Sequence, residues 1–145
     1  MVKPRTGYQL AKERMTAALR AEVAAHGRAE ERLHIAIVEL LNATAAPGVR
    51  FHHVPNGGKR SKREAARFRL MGVKAGVSDL VISMPGGRTG YMEIKAANGR
   101  LSEEQENFLA AMAANGNLTA VVRSLEEATA TLTEWGAIRR ARVAA

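Results

Sequence analysis

Cysteine is absent from the 145 residues, which excludes disulfides and any zinc or iron–sulfur site built on thiolates. Long apolar runs are absent too. None approaches the roughly 20 residues that cross a bilayer, and the opening stretch MVKPRTGYQLAKERM has no apolar core of the kind a secretory leader carries. The expectation is a cytoplasmic protein with no covalent staples and no membrane partner. The chain also lacks internal repeats, low-complexity segments and a G-x-x-x-x-G-K-[ST] spacing, so it holds no P-loop.

What is present describes an ordinary folded domain with an unusual charge. Apolar residues make up 46% and charged residues 25%, and the length suffices for one domain with a core but hardly for two. The formal net charge of +8 is unevenly placed. Residues 1–74 carry 15 Lys and Arg against 6 Asp and Glu, while residues 75–145 carry 7 against 8. Basic side chains gain affinity for polyanions by releasing condensed counterions, so a nucleic acid is the natural partner. Solubility alone is the bland alternative.

Periodicity and turn chemistry divide the chain. Tyr8–Ala25, rich in Ala, Leu, Glu, Lys and Arg, predicts a helix ending near Gly27. A second helix is predicted over Ala29–Asn42, where Leu33, Ile37, Leu40 and Leu41 recur at helical spacing. Val49–Val54 reads as a strand, PNGGKRSK as a loop and Arg63–Met71 as a helix stopped by Gly72. Two strands, Asp79–Met84 and Gly90–Ala96, flank a PGGRTG turn. A helix capped by Ser102 ends at Asn115-Gly116, Leu118–Ser124 forms a fourth strand, and a final helix runs through SLEEATATLTEWGAIRRA with a capping box at Ser124 and Glu127. An α/β fold follows, a mixed sheet of about four strands flanked by helices. The expected organisation is a basic helical extension over 1–28, a core domain over 29–138 and an Ala-rich tail over 139–145.

The chemistry concentrates in GVSDLVISMPGGRTGYMEIKAANG. On a strand, residues two apart share a face, so Tyr91, Glu93 and Lys95 point one way and Met92 and Ile94 the other. A hairpin through PGGRTG lays the strand beginning at Asp79 beside that of Glu93. Two carboxylates converging on one point repel unless a cation lies between them, and hard oxygen ligands suit magnesium or manganese. The bland alternative is a solvated sheet face with a weak Glu93–Lys95 pair. His52 and His53, adjacent on a strand, face opposite sides and do not chelate one ion together.

The ordered combination of Gly76-Val77-Ser78-Asp79-Leu80, Glu93-Ile94-Lys95, the GRLSEEQ segment ending at Gln105, HHVPNGGKR upstream and a helix bearing Glu30 resembles the VRR-NUC family, a branch of the PD-(D/E)xK nuclease superfamily. The resemblance covers about residues 30–130 and implies a restriction-endonuclease-like core. Two departures are visible: Ser78 stands where the family carries Pro, and His34 where it often carries Gln. The resemblance implies that Asp79, Glu93 and the Ile94 backbone carbonyl bind Mg2+, with Mn2+ able to substitute. It implies that Lys95 orients or helps deprotonate the attacking water, and that Glu30 adds a carboxylate. Glu30 is preferred to Glu31 because it shares a helix face with Leu33, His34, Ile37 and Leu41. Gln105 is open between catalytic support and a capping box with Ser102.

Phosphate contacts are expected from Asn56, Lys59, Arg60, Lys62, Arg63 and Lys74, in and beyond a loop where Gly57 and Gly58 permit close backbone approach. The leading expectation is a metal-dependent DNA endonuclease. Stand-alone proteins of this family, often phage- or prophage-encoded and built like junction resolvases, imply a homodimer selective for branched, junction or flap DNA. A non-catalytic nucleic-acid-binding module, or a structural subunit of a phage replication complex, stays open.

Overall fold

The computed structural model describes residues 29–55 and 60–140. The helix expected over Tyr8–Ala25 lies outside the described residues, as do Asn56, Gly57, Gly58, Lys59 and the last five positions. The described chain runs α1 (Ala29–Thr44), β1 (Arg50–His53), α2 (Lys62–Leu70), β2 (Leu80–Met84), β3 (Arg88–Ile94), α3 (Glu103–Ala114), β4 (Leu118–Val122) and α4 (Leu125–Trp135). The four strands form one sheet in the order β1-β2-β3-β4. The first two pairings are antiparallel and β3–β4 is parallel. The fold is therefore α/β, with a mixed four-stranded sheet and four helices among the described residues.

The β2–β3 hairpin turns tightly over Pro85, Gly86 and Gly87, with the two glycines at φ +83° and +72°. This left-handed region is costly for residues with a Cβ. Arg88 and Thr89, expected in the turn, extend β3 ahead of Gly90. Gly90 has a packing reason to lack a side chain: a Cβ there would lie 2.4 Å from the Trp135 ring.

That contact shows which helices cover which face. Gly90 shares its face with Met92 and Ile94, and both are fully buried in a core with Ile37 and Leu41 of α1 and Leu132 and Trp135 of α4. Burying each large aliphatic side chain contributes about 1.5–3 kcal/mol, so this layer dominates stability. The opposite face carries Tyr91, whose ring meets Phe108 of α3 edge-to-face at 5.4 Å.

The last helix is shorter than its sequence suggests. The expected run through Ala141 stops at Trp135, because Gly136 adopts φ +75° and its N–H returns to the carbonyls of Leu132 and Thr133. Ala137 and Ile138 are then buried, and Ile138 bridges to Ala45 beyond α1. Burial of these two side chains outweighs the helical preference of the Ala-Ile-Arg-Arg stretch. Among the described residues no helix is long and apolar enough to cross a membrane.

Candidate active site

The hairpin register assembles the cluster. Leu80 pairs with Met92, so Asp79, one residue earlier, stands across from Glu93. Asp79 Oδ2 accepts the Ile94 N–H at 2.8 Å. Its backbone carbonyl accepts the Val54 N–H at 3.0 Å and pairs with His53 Nδ1 at 2.7 Å. Three strands thus fix the aspartate. Ser78, just before it, is fully buried, and its hydroxyl has no partner among the described residues.

Glu93 is 2% exposed, which the alternation of polar and apolar residues did not foretell. Helix α3 covers its face, and Gln105 Nε2 donates to Glu93 Oε1 at 2.7 Å. Glu93 Oε2 is buried and has no partner among the described residues. Burial first, then the negative charge of Asp79, pushes the Glu93 carboxyl from its ordinary 4.5 up to about 7, while Lys95 pulls it back in part.

Gln105 bonds both to the helix cap and to Glu93. Its Oε1 accepts the Ser102 N–H at 2.9 Å, and its own N–H is capped by Ser102 Oγ, completing the capping box. A side-chain amide presents an acceptor and donors on separate atoms, so the same residue closes the helix start and holds Glu93. Gly76 lets this helix start approach: at φ +84° its missing Cβ would sit 2.4 Å from the Glu104 carbonyl oxygen.

Lys95 lies between two carboxylates, its Nζ 3.6 Å from Glu93 Oε1 and 3.9 Å from Glu30 Oε1. Glu30 projects from the first turn of α1 and its Oε2 accepts the Ala96 N–H at 3.4 Å. Glu31 reaches His34 electrostatically instead. Beyond Lys95 the chain is held by Arg123, whose Nη1 donates to the carbonyls of Ala96 and Gly99. Glu30, Asp79, Glu93, Lys95 and Gln105, from distant parts of the sequence, therefore converge at one end of the sheet.

Beside them stands a group that sequence reasoning did not single out. His34 of α1 and His53 of β1 meet edge-to-face with ring centroids 4.4 Å apart. One ligand atom from each, together with one from Asp79, lies within 4.8 Å of the others. Burial, followed by the neighbouring His53, holds His34 below its ordinary value, and Asp79 and Glu31 offset this in part. No local spacing announces the pair, since its members sit on different elements.

The sequence model of the VRR-NUC domain matches residues 28–126, more than half of the chain. The chain belongs to the VRR-NUC family. Among solved structures, a VRR_NUC domain protein shares the fold with TM-score 0.62 and 23% sequence identity, covering 76% of this chain and 89% of that one. No curated protein matches the chain. The family is of nuclease type, and the convergent carboxylates lie within the matched span of this VRR-NUC domain.

Of the expected phosphate-contacting residues, the described ones (Arg60, Lys62, Arg63 and Lys74) form no part of the carboxylate cluster. Asn56 and Lys59 lie outside the described residues. Lys62 and Arg63 open α2, which Ser61 caps, and both are exposed, as is Lys74. Arg60 stacks its guanidinium 4.3 Å from the Phe68 ring centroid, which steadies it over the helix. Helix α2 buries no residue completely, so its basic face is open to a partner.

Proposed function

We propose that this VRR-NUC domain is a magnesium-dependent DNA endonuclease that hydrolyses phosphodiester bonds and prefers branched, junction or flap DNA, acting as a homodimer. The observation that carries the reading is Glu93 Oε2: a carboxylate oxygen buried opposite Asp79 without a hydrogen-bond donor among the described residues. An unpartnered buried carboxylate is costly unless a cation completes it. The donor set, oxygens from Asp79 and Glu93 with Glu30 near them and the Ile94 carbonyl implied by the family, fits a hard divalent ion such as Mg2+, with Mn2+ as substitute.

When bound, such an ion supplies a nucleophilic water at neutral pH and neutralises charge building on the scissile phosphate. The protein's own groups do the rest. Gln105 fixes Glu93 Oε1 and leaves Oε2 for the ion. The Ile94 N–H fixes Asp79 Oδ2 and so the carboxylate plane. Lys95, lodged between Glu93 and Glu30, places an ammonium that orients the attacking water and offsets charge on the phosphate. The basic residues of the loop before α2, of α2 itself and at Lys74 hold the DNA backbone, contributing affinity without sequence preference.

A plasmid-nicking assay with Mg2+, and with EDTA as control, tests the reading. Asp79→Ala and Glu93→Ala are expected to abolish nicking while leaving salt-dependent DNA binding intact. Undiminished cleavage in either variant refutes it. Binding without metal-dependent cleavage in the wild type would mark a nucleic-acid-binding module instead.

A further inference from the structure

We propose that His34, His53 and Asp79 form a second metal site, selective for a borderline divalent ion of the zinc class, and that this site draws on the same aspartate as the carboxylate cluster. A paired-histidine motif on one helix has its members one helical turn apart, but here the histidines come from α1 and β1 and meet only through the fold. Their rings are 4.4 Å apart at an interplanar angle of 88°, and one ligand atom of each lies within 4.8 Å of the others and of an Asp79 carboxylate oxygen.

The tautomer supports ligation. His53 Nδ1 sits 2.7 Å from the Asp79 carbonyl oxygen. A carbonyl only accepts, so Nδ1 carries the proton and Nε2 keeps its lone pair. A ring N–H donated to a backbone carbonyl is the arrangement that orients histidine ligands and raises their basicity. Zn2+ ligand distances of about 2.0–2.2 Å set tetrahedral ligand atoms roughly 3.4 Å apart, so from separations within 4.8 Å closing the site takes at most small ring rotations. His53 is exposed and His34 and Asp79 are half-buried, which leaves the ion a route from solvent.

The chemistry separates the two sites. Two imidazoles and one carboxylate favour zinc-class ions, whereas the all-oxygen set at Glu93 favours magnesium. Because both use Asp79, occupancy of one lowers affinity at the other, reciprocally. Zinc then acts as an inhibitor of a magnesium-dependent reaction. This last consequence rests on the proposed function; the site itself does not.

The test is a titration of chelator-stripped protein with Co2+, followed by its visible d–d absorption, with Zn2+ displacement followed by calorimetry. One equivalent is expected. His34→Gln and His53→Asn should each weaken it by about 10-fold or more, while Glu93→Gln retains it. Unchanged Co2+ binding in both histidine variants overturns the proposal, and so does its loss in Glu93→Gln alone. Imidazole nitrogen shifts in the wild type provide a readout that needs no variant: Zn2+ should move His53 Nε2 and His34, and unmoved signals refute the site. A cleavage arm compares Zn2+ inhibition at fixed Mg2+ in wild type and His34→Gln, and inhibition of equal strength in both overturns the shared-aspartate coupling. If the protein cleaves no DNA, the cobalt spectrum still decides the histidine site, so the two readings fail separately.

Discussion

Burial of Glu93 makes metal-free stability depend on pH in an unusual direction. A carboxyl raised from 4.5 to about 7 binds more protons folded than unfolded between those values, so the contribution is present at acid pH and lost as pH rises. Each pKa unit corresponds to about 1.36 kcal/mol. Between pH 5 and pH 8 this group alone is expected to cost the metal-free protein roughly 2–3 kcal/mol. His34, held below its ordinary value, works oppositely, adding stability as pH rises towards about 6.5. Comparison with Glu93→Gln removes that contribution, since both proteins keep His34. Urea unfolding in EDTA at several pH values is the assay. The stability gap between Glu93→Gln and wild type should widen in favour of Gln by roughly 2–3 kcal/mol from pH 5 to pH 8. Added Mg2+ should restore the wild type at pH 8 and leave the Gln variant unmoved. A gap that stays constant with pH refutes the reasoning, for it would mean that Glu93 ionises as freely in the fold as in water.

Ser78→Ala removes a buried hydroxyl without a partner and is expected to stabilise the protein by about 1 kcal/mol, as thermal unfolding would show. Gln105→Glu keeps an acceptor for the Ser102 N–H but replaces the donor to Glu93 by a second carboxylate; metal-free stability should fall by about 1–3 kcal/mol while single-turnover cleavage falls at least about tenfold. Lys95→Ala should slow cleavage by about 10²–10⁴-fold with little loss of stability, and Lys95→Arg should not rescue it, since a planar guanidinium does not fit between Glu30 and Glu93 as a compact ammonium does. Replacing Lys62 and Arg63 together by Ala should flatten the dependence of log DNA affinity on log salt by between about one and two units, measured by fluorescence anisotropy.

The pairing of Asp79 with Glu93 was legible because a hairpin turn with two glycines leaves few registers, and β-strand periodicity then aligns the carboxylates. The caps at Ser102 and Ser124 were legible because they are local. The burial of Glu93 was not, for it depends on α3, which begins ten residues later and brings Gln105 and Phe108 over that face. Gln105 posed a choice between two roles only because the reading assigned one bond per side chain; its amide makes both. The end of α4 was misread because composition spoke for helix while Gly136 and the burial of Ile138 decided otherwise. His34 and His53 were missed because their meeting is wholly tertiary, and the adjacent His52-His53 pair drew attention to the wrong partner.

Two carboxylates flank the Lys95 ammonium and a third, Asp79, stands against Glu93, which leaves an island of negative charge on a chain whose formal net charge is +8. A polyanion drawn by the basic half is repelled at the spot where it would react. A dication seated there cancels that local charge, and the strand in turn arrives with a condensed cloud of cations. If the proposed function holds, metal and DNA enter as cooperative ligands, each tightening the other's hold by the same factor, and the protein stays idle on either one alone.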